Sequence, residues 1–174
     1  MLYKYADGLR QRIEDNGVTA PSTAVIYYAL QIIVNTVTIA GGALLVGMIT
    51  GEFGRAALAI VSFGVIRYLS GGYHLKAGYL CIVVSTVLLS ILPHLAFSIV
   101  AIKIMTILSV ISFALFAPSN YDKYARMPKR YYPLLKIVST GLVAVNFVIL
   151  SDVLAMTYII QAVLLPLGKE RRKI

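Results

Sequence analysis

Long apolar runs alternate with short polar breaks along nearly the whole chain. A transmembrane helix needs about 20 predominantly apolar residues, with a range of about 17–25. The first clear span runs from about Thr23 to Ile49, with Pro21-Ser22 before it as a start signal. Gly51–Arg55 is a short loop. Ala56 to Leu69 is a second run, too short for a comfortable span, and Ser70–Gly78 is a polar, glycine-rich break. Tyr79 to Leu92 is again short and ends at Pro93-His94. Leu95 to Ala117 is a fourth span carrying Lys103, and Pro118–Pro133 is the longest polar loop. Leu134 to Leu150 is a fifth span. Asp152 marks a tight turn, Val153 to Leu167 is a sixth span, and Lys169–Lys173 is a basic tail. The pattern predicts an all-α polytopic membrane helix bundle, a single integral domain over residues 1–174 with the bundle at 23–167. It leaves six full spans open against four, with the short second and third runs then re-entrant.

Ahead of the bundle, residues 1–20 read differently. Leu2, Tyr5, Ala6, Leu9 and Ile13 follow helical spacing, while Lys4, Asp7, Arg10, Gln11 and Glu14 fall on other faces. This predicts an amphipathic helix, either in the headgroup region or packed on the bundle. The mixed charges and the lack of a continuous apolar core do not fit a cleaved signal peptide.

Composition agrees with the membrane reading. Hydrophobic residues make up 59% of the 174 residues and charged residues 13%, against about 45–50% and about 25% in soluble domains. The net charge of +9 could suggest nucleic acid, but the bases sit in short segments between apolar runs and no groove-reading module is present. With six spans, all of the 16 Lys and Arg except Arg55 and Lys103 fall on the side of the termini. The positive-inside rule then makes both termini cytoplasmic, and the re-entrant version keeps that orientation.

The chemistry concentrates in one of the breaks. The only cysteine, Cys81, follows His74 by seven residues, with Arg67 and Lys76 nearby. A histidine and a thiol are the minimum for cysteine nucleophilic catalysis. Seven residues on a straight helix separate two side chains by about 10 Å at ~1.5 Å per residue, whereas proton transfer needs about 2.6–3.2 Å. The pair can therefore act together only if Gly71-Gly72 and Gly78 break the helix. Cys81 is then expected in the first turns of the next helix, where the helix dipole and the two cations favour a thiolate. His94 falls at the opposite membrane side, and two histidines on opposite faces with one cysteine do not make a metal site. Taken singly, Cys81 also reads as a buried hydrophobe and His74 as an interfacial anchor.

Other polar positions are candidates for support. Gln31, Asn35 and Thr38 form one stripe of the first span, and Gln31 or Asn35 could orient the imidazole; Ser70 is a further candidate. Gly41, Gly42 and Gly47 suggest close helix packing within one subunit or across a homodimer.

The pattern Arg67-x4-Gly72-Tyr73-His74-x6-Cys81, between two hydrophobic runs, resembles the AgrB family of membrane cysteine endopeptidases, which process AgrD-type propeptides in bacterial quorum sensing. Ala117-Pro118-Ser119-Asn120-Tyr121-Asp122-Lys123, followed by Lys129-Arg130, resembles that family's cytoplasmic loop. The resemblance extends over nearly the whole chain. It implies His74 and Cys81 as the catalytic pair, supported by Arg67 and Gly72; Ser70 and Lys76 are added as site support from their position alone. It also implies an AgrD-like propeptide substrate whose acidic tail meets Lys123, Arg126, Lys129 and Arg130, and no cofactor or metal. These bases are spread where the family often has a compact lysine run. The expected reaction is cleavage through a Cys81 thioester and cyclisation of the peptide to a thiolactone or lactone. Two other readings fit the residues: a small transporter whose polar pathway is lined by His74, Arg67 and Lys76, and a non-enzymatic membrane adaptor for acidic partners.

Overall fold

A backbone in hydrocarbon has no water to bond, so apolar runs of this length fold as helices that satisfy their own N–H and C=O groups. The computed structural model describes residues 1–73, 78–120 and 128–169. Its helices are α1 (Leu2–Asp15), α2 (Thr23–Ile49), α3 (Phe53–Ser70), α4 (Gly78–Ile91), α5 (Ile99–Phe116), α6 (Tyr132–Ala144), α7 (Asn146–Ile149) and α8 (Asp152–Lys169). Short 3-10 turns cover Leu92–His94 and Lys129–Tyr131. The chain is an all-α membrane bundle. Four segments are long and apolar enough to cross a membrane: Thr23–Ile49, Phe53–Ser70, Ile99–Phe116 and Lys129–Ile149. Tyr79–His94 and Asp152–Leu167 are apolar but shorter.

The second run is longer than the pattern implied, because α3 begins at Phe53 and takes Gly54 and Arg55 into its first turn. Arg55 can sit there because its charge is met: its guanidinium donates to Asp152 Oδ2 at 2.9 Å and to the Leu95 carbonyl at 2.9 Å. The fourth run starts late. Ser98 caps α5, its Oγ accepting from the Ala101 amide at 3.3 Å, so Leu95–Phe97 lie outside the helix. The fifth run is interrupted at Val145. Asn146, fully buried, donates to Thr106 Oγ1 at 3.1 Å and accepts from the Ser151 amide at 3.1 Å, closing the turn into α8.

The helices meet through stripes of small residues. In α3 the buried positions are Ala56, Ala59, Ser62, Ile66 and Ser70, the three-to-four-residue spacing of one helix face. The last helix is the most enclosed, with Val153, Leu154, Ala155, Thr157, Tyr158, Gln161, Ala162 and Leu165 all buried. It packs between α3 and α5, and its Leu154, Tyr158, Ala162 and Leu165 meet Ile66, Phe113, Ala117 and Val143 in one core cluster. Outward positions remain apolar: Val61 is 62% exposed, Ile137 70% and Val148 85%, as lipid-facing surfaces require.

The connections sort to two ends. Arg55, Leu95 and Asp152 tie together the α2–α3, α4–α5 and α7–α8 connections at one end, where Thr50 Oγ1 also lies 3.4 Å from His94 Nε2. The chain beyond α3, the chain beyond α5 and the C-terminal turns of α8 meet at the other. Helix α1 packs on α2, with Ala6 fully buried, Thr23 donating to Asp7 Oδ1 at 3.0 Å and the Tyr3 and Tyr27 rings 5.6 Å apart. Of the two placements expected for this segment, contact with the bundle is present. Tyr5 and Leu9 stay exposed along a groove of about 740 Å³ between α1 and Leu30 of α2.

Two of the three glycines of α2 serve contacts within the chain. A Cβ on Gly47 would stand 2.6 Å from Ala56 Cβ, and one on Gly42 would stand 2.9 Å from Thr86 Cγ2, whereas Gly41 has open space. Glycine to alanine gains up to about 1 kcal/mol in helix propensity at either position, but overpacking at a helix contact costs about 1–3 kcal/mol. Gly47→Ala should therefore be less stable than Gly41→Ala by about 1–3 kcal/mol in denaturant unfolding of the detergent-solubilised protein. Equal stabilities would show that α2 and α3 can separate at that point without cost.

Candidate active site

Helix α3 ends where the sequence pattern required a break. Gly71 caps it with φ +68° and ψ −135°, its amide still bonded to the Arg67 carbonyl at 2.9 Å, and Gly72 follows at φ +118°. Side chains other than glycine rarely adopt such angles. Helix α4 starts at Gly78, so α3 and α4 are not one continuous helix and Cys81 falls in the first turn of α4. The cysteine is free and half-buried. It lies on the enclosed stripe of its helix with Ser85 and Leu89, while Tyr79, Leu80, Val83, Val84, Val87 and Leu88 are exposed. This stripe packs mainly on α2.

The segment leaving α3 is held from two directions. The Gly72 amide donates to the Ser119 carbonyl at 2.9 Å, and the Ser119 amide donates to the Ser70 carbonyl at 2.9 Å, forming a parallel bridge between Gly71 and Ser119. The Tyr73 amide donates to the Leu164 carbonyl of α8 at 3.1 Å. Ser119 is 1% exposed, and its hydroxyl donates to the Leu165 carbonyl at 2.8 Å. The Ala117–Pro118 peptide bond just before it is cis. The two sequence motifs, separate in the chain, are thus hydrogen-bonded to each other and to the end of α8.

Pro166 opens a further acceptor on α8. Proline has no N–H, so the carbonyl four residues earlier loses its helical partner. That carbonyl, of Ala162, accepts the Ser112 hydroxyl of α5 at 2.8 Å.

One side chain of α8 completes the arrangement. Gln161 is fully buried. Its Nε2 donates to Ser70 Oγ at 3.0 Å and to the Gly71 carbonyl at 2.6 Å, and its Oε1 accepts from the Arg67 guanidinium at 3.2 Å. Arg67 also donates to the Tyr73 carbonyl at 2.6 Å and lies over the Phe63 ring at 5.7 Å. A Cβ on Gly72 would stand 3.1 Å from Gln161 Nε2 and 3.6 Å from the Leu164 carbonyl oxygen. Arg67, Ser70 and Gly72, selected from sequence, are therefore brought together; Gln161 and the anchoring role of Ser119 were missed. The available signal for Gln161 was its position as a lone amide in an apolar run, where an unpaired polar group is costly.

The remaining candidates distribute as follows. His74 and Lys76 lie outside the described residues, as do Lys123 and Arg126, and with them the expected His74–Cys81 distance. Lys129 and Arg130 are exposed at the start of the fifth apolar segment; Arg130 donates to the Tyr131 hydroxyl at 2.9 Å and stacks over its ring at 4.8 Å. Gln31 donates to the Tyr27 hydroxyl one turn earlier at 3.0 Å. Asn35 is half-buried on the same helix. Among the described residues no group of His, Cys, Asp and Glu could hold a metal ion.

A family model described as Accessory gene regulator B matches residues 3–167 of the 174-residue chain. Comparison with curated proteins and with solved structures found no match.

The positive φ of Gly72 and its contact with Gln161 predict the effect of a methyl group there. Residues forced into such backbone regions cost about 1–3 kcal/mol. Gly72→Ala should open the bridge and speed hydrogen exchange at the Tyr73 and Ser119 amides by roughly tenfold or more. Exchange at the Ala155 and Tyr158 amides in α8 should stay unchanged. Unaltered exchange at Tyr73 and Ser119 would show that the segment tolerates a Cβ.

Proposed function

Because the chain belongs to the Accessory gene regulator B family, which ties it to the processing of quorum-sensing propeptides, we propose that it is a membrane cysteine endopeptidase. It cleaves the C-terminal tail from such a propeptide and cyclises the remainder. The observation that carries this reading is the junction of the two motifs: Gly72, two positions before His74, is hydrogen-bonded to Ser119, at the start of the basic loop. A pair that cuts the peptide and a loop that holds its acidic tail have to be neighbours, and the junction makes their flanking segments so.

In the proposed reaction His74 takes the proton from Cys81, and Sγ attacks the carbonyl carbon of the peptide bond after the last residue of the future ring. The C–N bond breaks, His74 returns the proton to the leaving amine, and the acidic tail departs. The acyl group is then a thioester on Cys81. A Cys or Ser side chain of the same peptide attacks that thioester. Its proton passes through His74 to the Cys81 sulfur as the ring closes. Backbone N–H groups at a helix start lack intrahelical partners, and in this reading those at the start of α4 hold the developing oxyanion. A thiolactone is nearly isoenergetic with the thioester, so exclusion of water decides between cyclisation and hydrolysis. The half-buried Cys81 on an enclosed stripe supports such exclusion. Lys123, Arg126, Lys129 and Arg130 receive the acidic tail. Both termini are cytoplasmic in this reading, as is the propeptide's point of arrival.

Co-expression of the chain with an amphipathic propeptide tests the proposal. The wild type should yield a released tail and, on acid quench, an acyl adduct on Cys81 detectable by mass spectrometry. Cys81→Ala and His74→Ala should each abolish both at unchanged membrane levels. Processing that survives Cys81→Ala would refute the catalytic reading and favour a transporter or adaptor. Lys129→Glu with Arg130→Glu should raise KM for the propeptide by roughly tenfold with little change in kcat, as expected when a binding contact of about 1.4 kcal/mol is lost uniformly. An unchanged KM would place tail recognition elsewhere.

A further inference from the structure

We propose that Gln161 is a positioning residue of this reaction: its amide, through Arg67, Ser70 and Gly71, sets the path by which the chain leaves α3 towards His74. This rests on the reading of His74 and Cys81 as the reacting pair. A carboxamide offers two N–H donors and one oxygen acceptor. Here both donors are used, on Ser70 Oγ and the Gly71 carbonyl, and the oxygen faces the Arg67 guanidinium. Chemistry fixes the orientation of the amide. Turned over, its oxygen would oppose the Gly71 carbonyl and its NH2 would oppose the guanidinium.

Helix docking alone does not account for this residue. Helices α3 and α8 already meet through Ile66, Tyr158 and Leu165 in an apolar cluster. Met or Leu at position 161 would fill a similar volume without bringing an amide into the membrane interior. The hydrogen bonds of Gln161 go to the last turn of α3 and its cap, residues 67–71. Arg67 relays the contact onward to the Tyr73 carbonyl, one position before His74. Gly72 passes so close to Nε2 that the amide also bounds the path sterically. A displacement of about 1 Å at reacting groups can cost on the order of 10²-fold in rate, so a clamp next to His74 should be read in the chemical step.

The test uses the full chain in lipid nanodiscs, with Cys81 as its only thiol. The rate of Cys81 acylation by the propeptide is measured in single turnover, and kcat and KM in steady state. In Gln161→Met the single-turnover rate of Cys81 acylation should fall together with kcat. The kcat should fall on the order of 10²-fold, with KM within about threefold because a positioning loss acts on the transition state. If Gln161→Met does not reach the membrane at wild-type levels, Gln161→Asn, one methylene shorter, decides by the same readouts. An acylation rate and a kcat both within about twofold of wild type would overturn the inference while leaving the catalytic pair intact. Processing that survives Cys81→Ala or His74→Ala would instead overturn the pair, and the inference with it.

Discussion

In a low-dielectric interior, backbone that leaves a helix must find new partners for its N–H and C=O groups. At the motif end two stretches leave their helices, the chain beyond Ser70 and the chain beyond Phe116. Three means satisfy them. They bond each other through Gly72 and Ser119, they bond the Leu164 and Leu165 carbonyls of α8, and they receive the Gln161 amide. The most enclosed of the described helices is thus the template on which the segments of both sequence motifs are laid. The glycine angles, the burial of Ser119 and the orientation of Arg67 follow from that requirement. The opposite end has a simpler solution, with the Arg55 guanidinium joining three connections through Asp152 and Leu95. That ion pair is partly exposed, with side chains 37% and 22% accessible, so it orders the connections more than it stabilises the fold. Exposed pairs contribute only about 0–1 kcal/mol.

Much of this was legible in the sequence because the membrane constrains length and polarity. The first span is bounded as the apolar run implied, and the glycine break before Cys81 followed from the reach of proton transfer against helical rise. The boundaries that differed did so for local reasons. Phe53–Arg55 joined α3 because Asp152, distant in sequence, neutralises Arg55. Leu95–Phe97 stayed out of α5 because Ser98 caps it. Asn146 ended α6 early because its amide closes the turn to α8. Each reason is a pairing between residues far apart or a single cap, and apolar periodicity reports neither.

The candidate site divides in the same way. Arg67, Ser70, Gly72 and Cys81 stood out by type and spacing within one short segment. Gln161 did not, because its partners lie about ninety positions away and nothing in its own run marks it apart from polarity. The stripe of Gln31 and Asn35 attracted attention for the same polarity, yet Gln31 is bonded within its own helix to Tyr27. Polarity within a span thus identifies residues that need a partner. Only the fold shows whether that partner is one turn away or on another helix.

The junction of the two motifs bears on how the proposed reaction proceeds forward. A thioester and a thiolactone differ little in free energy, and a thioester is less stable than the peptide bond it replaces, so neither ring closure nor cleavage is strongly downhill by itself. The step that can be made one-way is departure of the tail. If the basic loop holds that tail while the loop's first residues are bonded to the segment leading to His74, cleavage weakens the tail's hold by cutting its covalent link to the ring residues. What remains is a set of screened charge contacts, each short-ranged at physiological ionic strength, and the acidic fragment dissociates. In that proposed reaction the half-buried position of Cys81 favours exclusion of water from the acyl group. Loss of the tail and protection of the thioester are then, in the proposed reaction, two results of one arrangement, in which helix α8 holds the segments that lead to His74 and to the basic loop.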